Sequence, residues 1–310
     1  MASLPRATAT TAGSEPTRSQ PTSRGLHLTV EGLRLWVRAW PGEGLPVLLL
    51  HGGMAHSGWW HTVAPELGPS CRPFAFDRRG HGESDWADPE RYGWDRDIAD
   101  IEEVMSRLDP GPWLLVGHSQ GGLLAAEVAA SGRVALAGMA LVDIPLEPRS
   151  PDLRRTGRAL RRMPQIHYAT IADAVRRFQP FPAEHRIPED ELRRLAEESF
   201  RPTPDGRCTS RFHWQRFQAD GEPEDEHPLD GFADRLDRIA VPTLVLRGAE
   251  STILSRKQFD AMVRRIPRAR GVEIPDSTHN IHAEQPVAVG RALREFVAEL
   301  SPRPPGPPAR

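Results

Sequence analysis

The segment Gly117-His118-Ser119-Gln120-Gly121 reads G-x-S-x-G. The apolar run Trp113-Leu114-Leu115-Val116 precedes it, and the small-residue stretch 123–130 follows. That order predicts a strand, a sharp turn and a helix, the setting in which a serine hydroxyl is exposed on a strained elbow of backbone. Glycines flank the serine because a Cβ at either position would strike the neighbouring strand or helix. The start of the helix then offers unpaired N–H groups, and the positive end of its dipole, to any negative charge that develops beside the serine. The chemistry implied is nucleophilic attack by Ser119 on an acyl carbon.

A serine hydroxyl is a weak nucleophile until a base takes its proton. Among the twelve histidines, His279 is best placed. It lies in the loop 275–286, just beyond the last predicted strand, and follows the serine as the order Ser…acid…His requires. His282 reads as a structural residue at the start of the final helix, and His118 lies within the elbow itself. The base in turn needs a carboxylate to fix its tautomer and stabilise the imidazolium. Two candidates sit at predicted C-terminal strand ends, Asp143 and Glu250. A developing oxyanion needs two aimed N–H donors. Gln120 supplies one from its backbone, and Gly53, in the turn Leu50-His51-Gly52-Gly53, supplies the other. Met54, Trp59 and Trp60 follow that turn and are candidate pocket residues.

These residues need a scaffold, and the surrounding chain alternates strand and helix patterns. A hairpin is expected over residues 26–39. The short unbroken apolar run at 47–50 reads as a strand buried on both faces, and 113–116, 137–142 and 241–246 read as further strands. Strands are also expected at 72–77 and 271–274, an amphipathic helix at 95–108, and helices at 255–266 and 286–300. The fold class is therefore α/β: a mainly parallel, eight-stranded type of sheet with helices on both faces. The core comprises residues 23–143 and 237–300. In residues 144–236 the strand rhythm stops, and polar helical stretches such as 152–163 and 189–200 take over. Tyr168, Phe178, Phe181, Phe200, Phe212, Trp214 and Phe217 are scattered through them. This segment reads as a helical lid over the C-terminal edge of the sheet, where open α/β sheets bind ligands. Residues 1–22 and the Pro-rich residues 301–310 read as disordered tails.

Composition narrows the functional classes. The 310-residue chain has a net charge of −2, which leaves no electrostatic footprint for nucleic acid. No apolar run approaches the ~18 residues of a membrane span. The first residues lack the apolar core of a secretory signal. Two cysteines far apart in sequence, Cys71 and Cys208, make neither a disulfide framework nor a cysteine zinc site. The expectation is a cytoplasmic protein, monomer or homodimer, acting on a small molecule with neither metal nor cofactor.

Taken together, the His51-Gly52-Gly53 turn, the segment Asp77-Arg78-Arg79-Gly80-His81-Gly82-Glu83-Ser84, the elbow at 117–121 and the His279 loop resemble the α/β-hydrolase fold superfamily. The resemblance covers roughly residues 25–300. It points to the capped branch that includes small esterases, cofactor-free haloperoxidases and carbon–carbon bond hydrolases. It implies that Asp77 and Arg79 form a structural turn. It also implies an acid after the strand ending at Leu246, where this chain has Ser251 and Thr252, with Glu250 displaced by one or two positions. Some esterase-like members instead carry the acid one strand earlier, in a context that Val142-Asp143-Ile144-Pro145 resembles. Asp143 is accordingly the favoured acid and Glu250 the alternative. Relatives that attack sp³ carbon need an aspartate at the nucleophile position, so Ser119 implies acyl chemistry on an ester, lactone or thioester. The alternatives are enolate chemistry at the same site, as carbon–carbon hydrolysis or a cyclisation, and a non-catalytic ligand-binding relative.

Overall fold

The computed structural model describes residues 22–219 and 227–300. The tails expected over 1–22 and 301–310 lie outside these residues, apart from Thr22. The first two strands, β1 (Arg24–Val30) and β2 (Leu33–Ala39), form an antiparallel hairpin. Its turn places Glu31 at φ 48° and Gly32 at φ 79°, the paired positive angles that match the twist of a two-residue hairpin. Next come β3 (Leu45–Leu50), β4 (Cys71–Phe76), α1 (Trp94–Leu108), β5 (Trp113–His118), α2 (Gln120–Ser131) and β6 (Leu136–Val142). After an insertion the core resumes with β10 (Thr243–Gly248), α8 (Arg256–Arg265), β11 (Ala269–Ile274), the short α9 (Ile281–Glu284) and α10 (Pro286–Leu300).

The eight core strands form one sheet in the order β1-β2-β4-β3-β5-β6-β10-β11, with every pairing from β4 onward parallel. Both faces of the sheet are covered. Leu48, Leu50 and Leu115 point into a core with Ile101, Val104 and Met105 of α1, Leu124 and Val128 of α2, and Phe259 and Met262 of α8. Val47, Leu49, Leu114 and Val116 point the other way, onto Trp60, Leu67 and the α10 residues Val289, Leu293 and Phe296. Alternate residues thus serve opposite cores, which is why these strands read as unbroken apolar runs. The chain steps from β3 outward to β4 and then back across β3 to β5, so a crevice opens between the C-terminal ends of β3 and β5.

The insertion is not purely helical, which corrects the expectation for residues 144–236. Besides α3 (Pro151–Arg161), α4 (Ile171–Arg176), α5 (Glu189–Glu198), α6 (Arg216–Ala219) and α7 (Phe232–Arg235), it holds β7 (His167–Tyr168), β8 (Phe200–Pro202) and β9 (Cys208–Ser210). These pair into a small antiparallel sheet in the order β7-β9-β8. Strands of two or three residues complete too little of a period-2 pattern to be read from sequence. No helix among the described residues is long and apolar enough to cross a membrane.

Candidate active site

Ser119 sits between β5 and α2 with φ 50° and ψ −121°, a strained conformation that projects the side chain out of the turn. Close packing around the turn excludes larger residues. A Cβ on Gly117 would lie 2.3 Å from the Gly121 carbonyl oxygen, and one on Gly121 would lie 2.4 Å from that of His51. The second contact brings the start of α2 against the end of β3, and so sets Gln120 beside the His51-Gly52-Gly53 turn. Gln120 is the first residue of α2, so its N–H is one that a helix leaves without an internal partner. Gly53 is exposed to the cavity. A Cβ placed on it would contact the Gln120 side-chain oxygen at 3.4 Å.

His279 lies in the loop after β11 and is buried. Its Nδ1 donates to Asp143 Oδ1 at 2.7 Å, which leaves Nε2 as the free nitrogen. Asp143 follows β6 directly and has φ 47°, a left-handed geometry that aspartate tolerates better than most residues. It is wholly buried, yet its oxygens are well supplied. Besides His279, the Ser251 hydroxyl donates to Oδ1 at 2.7 Å and the Gly248 N–H donates to Oδ2 at 2.8 Å. A buried carboxylate is tolerated only with such partners. Glu250 lies elsewhere: its carboxylate receives Arg186 Nη2 at 2.6 Å in a half-exposed ion pair.

Two further imidazoles pack beside His279. His118 Nε2 donates to the His279 carbonyl at 3.0 Å, and the His118 ring packs 4.6 Å from that of His279 and 4.1 Å from that of His282. Burial, reinforced by His282 and His279, holds His118 well below the ordinary histidine range. Burial and His279 push His282 down to about 3. Both lowered imidazoles are therefore uncharged at neutral pH and place no fixed positive charge against the His279 ring.

The turn opposite the serine is braced from beneath. The buried Arg78 donates to the Gly52 carbonyl at 3.2 Å and to Gln120 Oε1 at 2.9 Å, and pairs with Asp97 at 3.0 Å. Arg216 of α6 reaches the same Asp97 Oδ2 at 2.5 Å. Sequence reasoning placed Arg78 in a turn but had no means of seeing where its side chain went. Asp77 accepts N–H groups from Ser57 and Glu83. Arg79 pairs with Asp100 at 2.6 Å, so both side chains are engaged in holding the turn.

A cavity of about 680 Å³ lies over the serine. Gly53, Met54, Trp59, Ser119, Gln120 and His279 line its floor. All seven aromatics singled out in the insertion face it, and they also pack on one another, as Phe212 does on Trp214 at 5.4 Å and on Phe217 at 5.3 Å. Trp60 is a correction. It is wholly buried in the core between the sheet and α10 and packs on His282, not on the cavity. It shares a single 3₁₀ turn, Ser57–Trp60, with Trp59. Adjacent residues of such a turn point about 120° apart, so the two tryptophans serve different surroundings.

The chain matches the alpha/beta hydrolase family over residues 47–292. It belongs to that family. Among curated relatives it is similar to the esterase Rv0045c of Mycobacterium tuberculosis, with 29% identity over 273 residues covering 83% of each chain. It is also similar to a putative 2-succinyl-6-hydroxy-2,4-cyclohexadiene-1-carboxylate synthase of Bacillus subtilis, with 25% identity covering 84% of this chain and 93% of the relative. Among solved structures, E-2-(acetamidomethylene)succinate hydrolase superposes with a TM-score of 0.74 at 22% identity, covering 89% of this chain and all of the other. This α/β-hydrolase chain therefore shares its fold with enzymes of differing substrates.

Proposed function

We propose that this protein is a serine hydrolase cleaving an ester, lactone or thioester through Ser119, His279 and Asp143. The observation that carries the reading is the 2.7 Å bond from His279 Nδ1 to a buried Asp143, with His279 and Ser119 lining one cavity. That bond keeps the proton on Nδ1 and leaves Nε2 to accept the Ser119 proton. Ser119 Oγ attacks the carbonyl carbon, and the oxyanion is held by the N–H groups of Gly53 and Gln120. His279 then protonates the leaving group. Water, activated by the same nitrogen, releases the acid from the acyl-enzyme. The esterase relative supports the reaction class. Glu250, committed to Arg186, has no part in it.

A fluorophosphonate probe should label the wild-type protein and fail to label Ser119→Ala. Unlabelled wild-type protein would overturn the reading. A second reading, enolate chemistry at the same site, is favoured only by the synthase relative. Aryl-ester turnover that persists in Ser119→Ala would favour it.

A further inference from the structure

Among the described residues, the cavity wall carries an unbalanced set of charges. Most of it is apolar, including Leu153, Leu160, Met163 and Ile166 from the insertion. Apart from histidines, every ionisable side chain on it among the described residues that is charged at neutral pH is an arginine: Arg149, Arg154, Arg161, Arg177 and Arg211. Neither aspartate nor glutamate lines it among the described residues, although the chain as a whole has a net charge of −2. Three of the five have counter-charges. Arg149 and Arg154 approach Asp230 at 3.2 and 3.7 Å, and Arg211 pairs with Glu83 at 2.7 Å. Arg161 and Arg177 have no ion pair among the described residues.

Arg161 is the more telling of the two. Leu153, Arg154, Gly157, Leu160 and Arg161 all line the cavity, which is the stripe that one face of a helix presents at 3.6 residues per turn. Arg155 of the same helix turns outward to pair with Asp152, so a solvated-surface role suits Arg155 and not Arg161. The Nε–H of Arg161 is buried without a hydrogen-bond partner. Beside it, a Cβ added at Gly157 would meet nothing within 4 Å. A buried donor without an acceptor costs stability, and a guanidinium fork is shaped to receive two oxygens of one planar or tetrahedral anion.

We propose that the substrate carries an anionic oxyacid group, a carboxylate or a phosphate, that Arg161 receives with Arg177 contributing from the same wall. Its apolar portion lies along the insertion's hydrophobic side chains, with the scissile carbonyl at Ser119. This specificity rests on the serine-hydrolase reading above.

Paired substrates test it. The p-nitrophenyl monoester of adipic acid differs from p-nitrophenyl hexanoate only in a terminal carboxylate. Hexanoyl-pantetheine with and without its 4′-phosphate places the anion on the leaving group instead. In at least one pair the anionic member should have a kcat/KM higher by about tenfold or more, the scale of one charge-assisted contact. That ratio should fall toward one in Arg161→Met, recover in part in Arg161→Lys, and shrink with added salt. The pair that shows the preference identifies the source of the anion. Ratios of one or below in both pairs, with the serine labelled by fluorophosphonate, overturn the proposal and leave the hydrolase reading intact. If the serine is not labelled, binding of hexyl phosphate and monohexyl succinate decides the anion site alone. It is read from the fluorescence of the cavity tryptophans Trp59 and Trp214. Binding weakened in Arg161→Met supports the site, and equal binding or none overturns it.

Discussion

Asp143 holds three donors at once, from His279, Ser251 and the backbone of Gly248, and its value to the site lies in being an acceptor only. An asparagine there would offer an NH₂ where His279 Nδ1–H now donates, favouring the wrong imidazole tautomer. Asp143→Asn is therefore expected to lower kcat by about 10⁴-fold, measured on a p-nitrophenyl ester. Glu250→Ala removes one exposed pair with Arg186 and should change kcat less than ~2-fold, since such pairs contribute about 0–1 kcal/mol even to stability. The reverse ranking would reassign the acid. Ser119, His279, Gly53 and Gln120 could be proposed from the sequence because each belongs to a local motif or a fixed chain order. The proposed acid was not separable in the same way. Asp143 and Ser251 meet only because β6 and β10 are neighbours, in a register where the Asp143 N–H donates to the Leu246 carbonyl at 2.8 Å, and sequence does not announce which strands are adjacent. Ser251 occupies a position where the family resemblance implies an acid, and its hydroxyl donates to Asp143 at the end of the neighbouring strand.

At the level of elements, α6 is joined to the turn of the proposed oxyanion donors through buried charge. Arg216 pairs with Asp97, Asp97 with Arg78, and Arg78 with the Gly52 carbonyl and the Gln120 side chain. Arg216 also donates to the Arg79 carbonyl at 2.7 Å, so the insertion is tied to the core at the turn that positions the two proposed donors. Arg216→Met leaves Asp97 buried with one cation in place of two, and the lost charge-assisted hydrogen bond contributes about 1.5–3 kcal/mol. The expected result is a lowered urea midpoint together with a reduced kcat, because the Gly53 and Gln120 N–H groups lose their bracing. A stability loss with kcat intact would confine Arg216 to a packing role. The strand–helix alternation of the core was legible because each long element repeats its period several times. The insertion was legible only as an interruption of that rhythm. Its short strands and the aim of Arg216 depend on contacts distant in sequence, such as His213 N–H to the Gly80 carbonyl at 2.9 Å.

Across the whole molecule, the buried histidines set how the fold responds to acid. His51, His56, His81, His118 and His282 are all buried. Burial is the leading cause that lowers each of them, to about 4 for His56, about 3 for His282 and well below the ordinary value for the others. In the unfolded chain each takes its proton near pH ~6.5. As pH falls below that value the unfolded state binds protons that the folded state refuses, so stability present above about pH 6.5 is lost as pH falls toward 4. Asp77 acts in the opposite sense. Burial raises it to about 6, so the folded state takes that proton first and gains stability as pH falls from about 6 toward the ordinary carboxylate value. Asp100 is raised by burial as well, and His61, His213 and His227 are lowered by it; two raised carboxylates against eight lowered histidines leave a net loss, and the thermal midpoint should drop steeply between pH 6.5 and 4.5. His282 isolates the effect, since neither of its ring nitrogens has a hydrogen-bond partner among the described residues. His282→Met deletes those unsatisfied atoms and keeps an apolar side chain against Trp60 and His118. Urea unfolding at pH 7.5 should place the variant within ~1 kcal/mol of wild type. At pH 5 the wild type alone bears the cost of a proton its folded state excludes, and the variant should be the more stable by about 2 kcal/mol. Parallel pH profiles for the two proteins would show that His282 is protonated in the fold, and with it that the cluster behind His279 is charged rather than neutral.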